Sequence, residues 1–258
     1  KLTPVDQETS MGSIGTRKPP RFALIATATA ILALFGLPQV ASATEATSQT
    51  LKIGIIGAGR IGGALGEHWV KAGHDVLLSS RHPERLKPLA ERLGPKARAG
   101  TPREAAVFGE VILISVPYGA LPQVGHDYAA EMRSKVVLET GNPFPGRDGD
   151  MAVVARAKGT NVASAEFLPG ARLVRAFNTI PHHALRSEAH RDGERVGVPL
   201  ASDDDAALKI ASRLVEDAGF EPVVVGPLAR ARDFDVGTAV FGQALTAHEL
   251  RRRLGMTP

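Results

Sequence analysis

The chain has 258 residues, 43% of them hydrophobic, 22% charged and 5% aromatic, values that fit one medium-sized globular domain with an appendage. It holds no cysteine, which excludes thiol catalysis, disulfides and Cys-ligated metals. The formal net charge is +4, but beyond residue 43 the balance is 27 basic to 25 acidic residues. That part is nearly neutral and gives no ground for nucleic-acid binding.

Residues 1–50 differ in kind from the rest. Lys1 to Ser10 are polar and precede Met11, as a vector-derived or misassigned extension would. A basic stretch (Arg17, Lys18, Arg21) then leads into the apolar run Phe22 to Leu37, and Pro38-Gln39-Val40-Ala41-Ser42-Ala43 ends in small residues. This pattern predicts a secretory signal peptide cleaved after Ala43, an exported protein and no membrane span once processed. The alternatives are an uncleaved membrane anchor or a cytoplasmic product. Arg17-Lys18 is not a twin-arginine pair.

The stretch Lys52 to Arg81 carries the strongest signal. Ile53-Gly54-Ile55-Ile56 reads as a strand buried on both faces. Gly57-Ala58-Gly59-Arg60-Ile61-Gly62 follows and fits G-x-G-x-x-G. Ile61, Leu65, Trp69 and Ala72 recur at helical spacing, Gly73 is placed to stop a helix, and Asp75 to Ser79 reads as a second strand. Strand, glycine turn, helix and strand together predict a dinucleotide site. Gly57 would allow the tight turn, Gly59 the approach of a pyrophosphate, and Gly62 close packing of helix on strand. An NAD site usually has Asp or Glu about twenty residues after the first glycine. Here Ser79-Ser80-Arg81 stand there, and two hydroxyls with a guanidinium suit the 2′-phosphate of NADP.

Further on, Pro83 to Leu93 is predicted as a short helix, with Arg85 and Lys87 adding cations near that phosphate. Ala97 to Gly100 is a short strand and Pro102 to Phe108 a helix. Val111 to Tyr118 is read as a buried strand whose end, Ser115 to Gly119, lies at the cofactor edge. Val136 to Thr140 is a strand turning at Gly141-Asn142-Pro143-Phe144. Pro145 to Asp150 is read as loop, a polar helical stretch follows, and Arg172 to Phe177 is a strand ending in Asn178-Thr179-Ile180-Pro181. Val196 to Ala201 and Glu221 to Val225 are strands, with Ser202 capping the helix between them. Asp233 to Arg253 is predicted helical. The fold class expected is α/β, a Rossmann-type doubly wound, mostly parallel sheet with a small C-terminal α/β extension. The expected divisions are residues 1–50 as leader and linker, 51–180 as the NADP-binding domain and 181–258 as a smaller substrate-side region.

From Lys52 to about Arg232 the chain resembles the NADPH-dependent reductases of the deazaflavin coenzyme F420, and the related reductase domain of the six-transmembrane ferric reductases. The landmarks are the glycine motif, Ser79-Ser80-Arg81, Val116-Pro117, Thr140-Gly141-Asn142-Pro143, Val174 to Thr179, and Gly226-Pro227-Leu228 with Ala231-Arg232. It departs from the pattern at Phe234-Asp235-Val236. The resemblance implies hydride transfer between NADP(H) and a small-molecule redox acceptor, with coenzyme F420 or a flavin as candidate co-substrate. Such a reaction depends mainly on positioning. Val116, Pro117, Tyr118, Asn142, Pro143, Asn178 and Thr179 would then form the nicotinamide pocket, with Phe144 and Ile180 lining the acceptor slot. Tyr118, His182 and His183 are the acceptor-side candidates, and no catalytic acid or base stands out. His182-His183 with His190 lie in a loop-like region, so no metal site is expected. The alternatives are a non-catalytic NADP-binding sensor or scaffold and an imine reductase of pyrroline-carboxylate type. A homodimer is left open.

Overall fold

A computed structural model describes residues 49–256; the leader, its cleavage site and residues 1–10 lie outside them. These described residues form one compact unit. In chain order it runs β1 (Lys52–Ile56), α1 (Arg60–Lys71), β2 (Asp75–Ser79), a 3-10 turn at Pro83–Leu86, α2 (Lys87–Leu93), β3 (Ala97–Gly100), α3 (Pro102–Phe108) and β4 (Val111–Ile114). Then come a 3-10 turn at Tyr118–Ala120, α4 (Leu121–Met132), β5 (Val136–Glu139), α5 (Pro145–Asp148), α6 (Asp150–Lys158), α7 (Thr160–Phe167) and β6 (Arg172–Arg175). The last elements are α8 (Ala184–Ser187), β7 (Gly197–Ala201), α9 (Asp205–Asp217), β8 (Glu221–Gly226), a 3-10 segment at Leu228–Phe234 and α10 (Ala247–Arg253).

The strands form an eight-stranded sheet in the order β3-β2-β1-β4-β5-β6-β7-β8. The first six are parallel and in the order of a dinucleotide-binding sheet. β7 joins β6 antiparallel through Arg175 and Ala201, and β8 then runs parallel to β7. The sheet therefore continues without a break across residue 180. Between β1 and β4 the strand order reverses, and a crevice at the C-terminal ends is expected there.

Apolar alternation divides the core between the faces of this sheet. Ile53 and Ile55 meet Leu65 and Trp69 of α1 in one cluster, which extends to Phe177, Leu214 and Phe220. Ile56, Ile112 and Ile114 belong to the other, with Ala105, Leu121, Met132 and Leu168. Trp69 also donates its indole N–H to the Leu214 carbonyl at 2.8 Å, tying α1 to α9.

Four sequence expectations are corrected. The apolar run from Val111 stays a strand only to Ile114, because Pro117 starts a 3-10 turn. Pro145 to Asp148 is a helical turn rather than loop. Asp204, not Ser202, caps α9: its carboxylate accepts from the Ala207 N–H at 2.9 Å, while the Ser202 hydroxyl donates to the Leu173 carbonyl. Finally, Asp233 to Arg253 is not one helix. Gly237 and Gly242 take φ of +94° and +75°, so Asp233 and Phe234 end a 3-10 segment and only Ala247–Arg253 is α-helical, started by the reciprocal Thr246–Glu249 capping pair.

Candidate functional site

A cleft of about 580 Å³ opens where the strand order reverses. Ile56 to Gly59 form its floor, Ser80 and Arg81 one rim, and Ser115, Val116 and Pro117 the other. The outer wall is Pro102 with Ala120, Gln123, Val124, Asp127 and Tyr128. That wall was not legible in the sequence, where residues 120–135 gave no assignment. Tyr128 has non-helical angles inside α4 (φ −122°, ψ 17°) and the Arg103 guanidinium lies 5.3 Å from its ring. Arg103 also donates to the Asp127 carbonyl at 2.8 Å. The Asp127 carboxylate is engaged by Gln123 and His126.

The glycine loop fits a dinucleotide phosphate. Gly57 has φ +99°, and a Cβ there would stand 2.4 Å from the Ser115 carbonyl oxygen. A Cβ on Gly62 would stand 2.3 Å from the Gly57 oxygen, so α1 sits directly against the turn. Around Gly59 a Cβ would meet nothing within 4 Å. Gly59 caps α1 without a side-chain bond, and the first turn of α1 carries no acid. Backbone N–H groups at the positive end of the helix dipole thus border open space in the cleft, as an anion requires.

Of the predicted 2′-phosphate readers, Ser80 and Arg81 line the cleft. Arg81 is exposed and, among the described residues, has no acidic partner. Ser79 is a correction: it is fully buried and its hydroxyl donates to the Ile55 carbonyl at 2.6 Å. As the last pleat position of β2 it points under β1, away from solvent. Lys87 lines a separate hollow with Glu91 and Arg98 and does not line the cleft. Ala58 lines the cleft, whereas Arg60 and Ile61 do not.

Tyr118 is the second correction. It is 0% exposed, with its hydroxyl bonded to the Thr160 carbonyl at 3.2 Å and to Ser164 at 3.0 Å. Burial raises its phenol well above the usual range, so it is neither a pocket wall nor a proton donor. Ile180, at 4% exposure, is likewise core and not slot lining. Asn142 and Asn178 do meet at the ends of β5 and β6: Asn142 Nδ2 donates to the Asn178 carbonyl at 2.9 Å. Asn178 Nδ2 reaches Asn142 Oδ1 at 3.4 Å and the Phe234 carbonyl at 3.3 Å. Its Oδ1 is buried and without a partner among the described residues.

Under this edge lies a charged post. Arg175, fully buried, pairs with buried Glu139 and donates to the Gly141 carbonyl at 2.8 Å and to Asp235 at 3.0 Å. Ser164 donates at 3.1 Å to the same Glu139 oxygen, Oε2, that Arg175 engages, and the Gly141 N–H donates to the other, Oε1. Burial pushes the Glu139 carboxyl upward against the pull of Arg175. Asp235, the position where the chain departs from the family pattern, supplies the second counter-charge.

His182 and His183 are exposed, with rings 5.8 Å apart, and neither lines the cleft. His182 Nε2 lies 3.5 Å from an Arg60 guanidinium nitrogen. Among the described residues no group of three His, Asp or Glu side chains could hold a metal ion, and no helix is long and apolar enough to cross a membrane. Glu67 of α1 holds the segment after these histidines through Arg186 at 2.8 Å, and also contacts Lys71 and Arg92. Partial burial would raise its carboxyl, but the bonds from Arg186 and Lys71 outweigh this and hold it at about 2. A depressed carboxylate stabilises the fold above its unfolded value, near 4.5, and the contribution fades as pH falls toward 2. Glu67→Gln should therefore lower stability at neutral pH and flatten its pH dependence between about 4.5 and 2. Urea titrations at stepped pH check it, and parallel pH curves for both proteins would contradict it.

Comparison with known proteins agrees with this geometry. Residues 52–143 match the family described as NADP oxidoreductase, coenzyme F420-dependent. The metalloreductase STEAP3 of Rattus norvegicus is 28% identical over 197 residues, 75% of this chain and 38% of its own length. The chain thus spans well under half of that relative. The F420-dependent NADP reductase of Methanothermobacter marburgensis is 29% identical over 197 residues, covering 70% of this chain and 87% of that protein. A hypothetical protein of Sinorhizobium meliloti superposes with a TM-score of 0.66 at 26% identity, covering 77% of this chain and 96% of that one. The resemblance to these reductases and the Rossmann-type fold read from the sequence are borne out.

Proposed function

We infer that this chain, whose residues 52–143 match the coenzyme F420-dependent NADP oxidoreductases, exchanges hydride between NADP(H) and a deazaflavin or flavin-type acceptor. The observation that carries this reading is the open cradle at Gly59, bordered on one rim by Arg81, which has no acidic partner among the described residues, and on the other by Val116 and Pro117. Bound NADPH would supply the hydride from its nicotinamide C4, and the reduced acceptor would take its proton from solvent. The residues present need only bind, orient and exclude water, which agrees with a cleft whose Asp127 carboxyl is held down by hydrogen bonds from His126 and Gln123 and so stays ionised instead of carrying a proton to the acceptor. The α1 N-terminus would hold the pyrophosphate, and Ser80 with Arg81 the 2′-phosphate.

Loss of NADPH selectivity tests the rim. A charged hydrogen bond contributes about 1.5–3 kcal/mol. Arg81→Ala should weaken NADPH roughly ten- to a hundredfold and leave NADH nearly unchanged. Equal losses in calorimetric titrations with both cofactors would show that Arg81 does not read the phosphate. The reaction itself is tested by following NADPH oxidation with deazaflavin, flavin, ferric chelate and imine, on the protein begun at Thr44. Tight NADPH binding without transfer to any of them would favour the non-catalytic reading.

A further inference from the structure

We propose that Phe144 and Phe241 together form the wall against which the planar acceptor packs, a pair assembled from segments almost a hundred residues apart. The proposal rests on the hydride-transfer reading for its ligand class, and on geometry for its place. Along the sheet edge the strand ends follow in the order β2, β1, β4, β5, β6. A dinucleotide with its 2′-phosphate at Arg81 and its pyrophosphate at Gly59 continues past Val116 and Pro117 toward β5 and β6. Adjacent strands are about 4.8 Å apart, so its reactive ring arrives at the Gly141-to-Phe144 turn and the Asn178 loop.

The aromatic pair stands there. The rings of Phe144 and Phe241 are 6.4 Å apart at 61°. Phe144 is 37% exposed, one of few large apolar side chains left open. The loop bearing it is fixed from two sides. Asp148 accepts from the Gly119 N–H at 3.1 Å and from the Phe144 N–H at 3.0 Å, joining the β4 turn to the β5 turn. Arg147 donates to the Asn142 carbonyl at 2.8 Å, and its guanidinium lies 5.2 Å from the Phe144 ring. Phe241 is held through its neighbour: the Gly242 N–H donates to the Thr179 carbonyl at 2.9 Å. Both rings are thus anchored to the residues that end β5 and β6. An aromatic pair of one exposed ring, Phe144, and one half-buried ring, Phe241, with a flanking guanidinium recognises a flat conjugated ring system by dispersion and quadrupole attraction. Tyr118 and Ile180 cannot provide this surface, because both lie in the core.

The test is binding of oxidised flavin mononucleotide and deazaflavin, read by quenching of their own fluorescence with NADP⁺ present. NADP⁺ affinity is measured separately by calorimetry. Phe144→Ala and Phe241→Ala should each weaken both heterocycles about tenfold, the scale of one lost aromatic stacking partner. NADP⁺ affinity should stay unchanged, and Phe144→Tyr should retain binding. Heterocycle affinity unaltered in both alanine variants would overturn the proposal. So would wild-type protein that holds NADP⁺ but binds neither heterocycle, or equal losses of NADP⁺ and heterocycle. Wild-type protein that binds the heterocycles through these rings but takes no NADP(H) would leave the wall standing and remove the hydride-transfer reading.

Discussion

Arg175→Met should lower the unfolding temperature by roughly 10 °C, more than any exposed substitution in the chain. The guanidinium is fully buried between Glu139 and Asp235, and it also donates to the Gly141 carbonyl. Removing one member of a buried pair leaves an uncompensated charge, a loss of about 3–5 kcal/mol. Asp235 is partly exposed and can turn to water, whereas Glu139 is 1% exposed and cannot. The loss should therefore fall on Glu139, and Arg175→Met combined with Glu139→Leu should recover part of it. Calorimetric scans of the single and double variants decide. A single variant as stable as wild type, or a double variant that falls further by the sum of its parts, would contradict the uncompensated-charge account.

The same network shows why part of the site could not be read from the chain. Arg175 and Asp235 are sixty residues apart in sequence, and nothing local marks either as a partner of the other. The glycine motif, by contrast, is local: strand, turn and helix follow one another, and their periodicities switch where the elements do. Hence β1, α1 and β2 fall where the pattern placed them. Tyr118 was misread because an apolar run does not reveal where a strand stops, and Pro117 redirects the backbone before it. Ser79 was misread because its hydroxyl has a backbone acceptor that only the neighbouring strand provides. The α4 wall went unread since Gly125 and the break at Tyr128 blur the helical period. Phe241 follows the same logic as Arg175, for its partner ring belongs to a distant turn.

Gly59→Ala should separate binding from folding more sharply than any other change in the cleft. Its φ of −80° lies outside the left-handed region and the added Cβ would meet nothing within 4 Å, although its ψ of −147° is off the usual β and α regions, so the unfolding temperature should fall by no more than about a few degrees. The methyl group would nevertheless occupy the space that backbone N–H groups at the start of α1 border. A phosphate held there would be pushed outward and lose its bonds to those groups. Each charge-assisted bond contributes about 1.5–3 kcal/mol, so losing two should weaken NADPH about a hundredfold or more. Gly62→Ala should behave in the opposite way. Its Cβ would collide with the Gly57 oxygen at 2.3 Å, so α1 must shift and stability must fall along with affinity. Calorimetric NADPH titration beside thermal unfolding of both variants resolves the two cases. A Gly59→Ala protein that binds NADPH as wild type does would remove the phosphate from the α1 N-terminus, and with it the physical basis for placing the dinucleotide in this cleft.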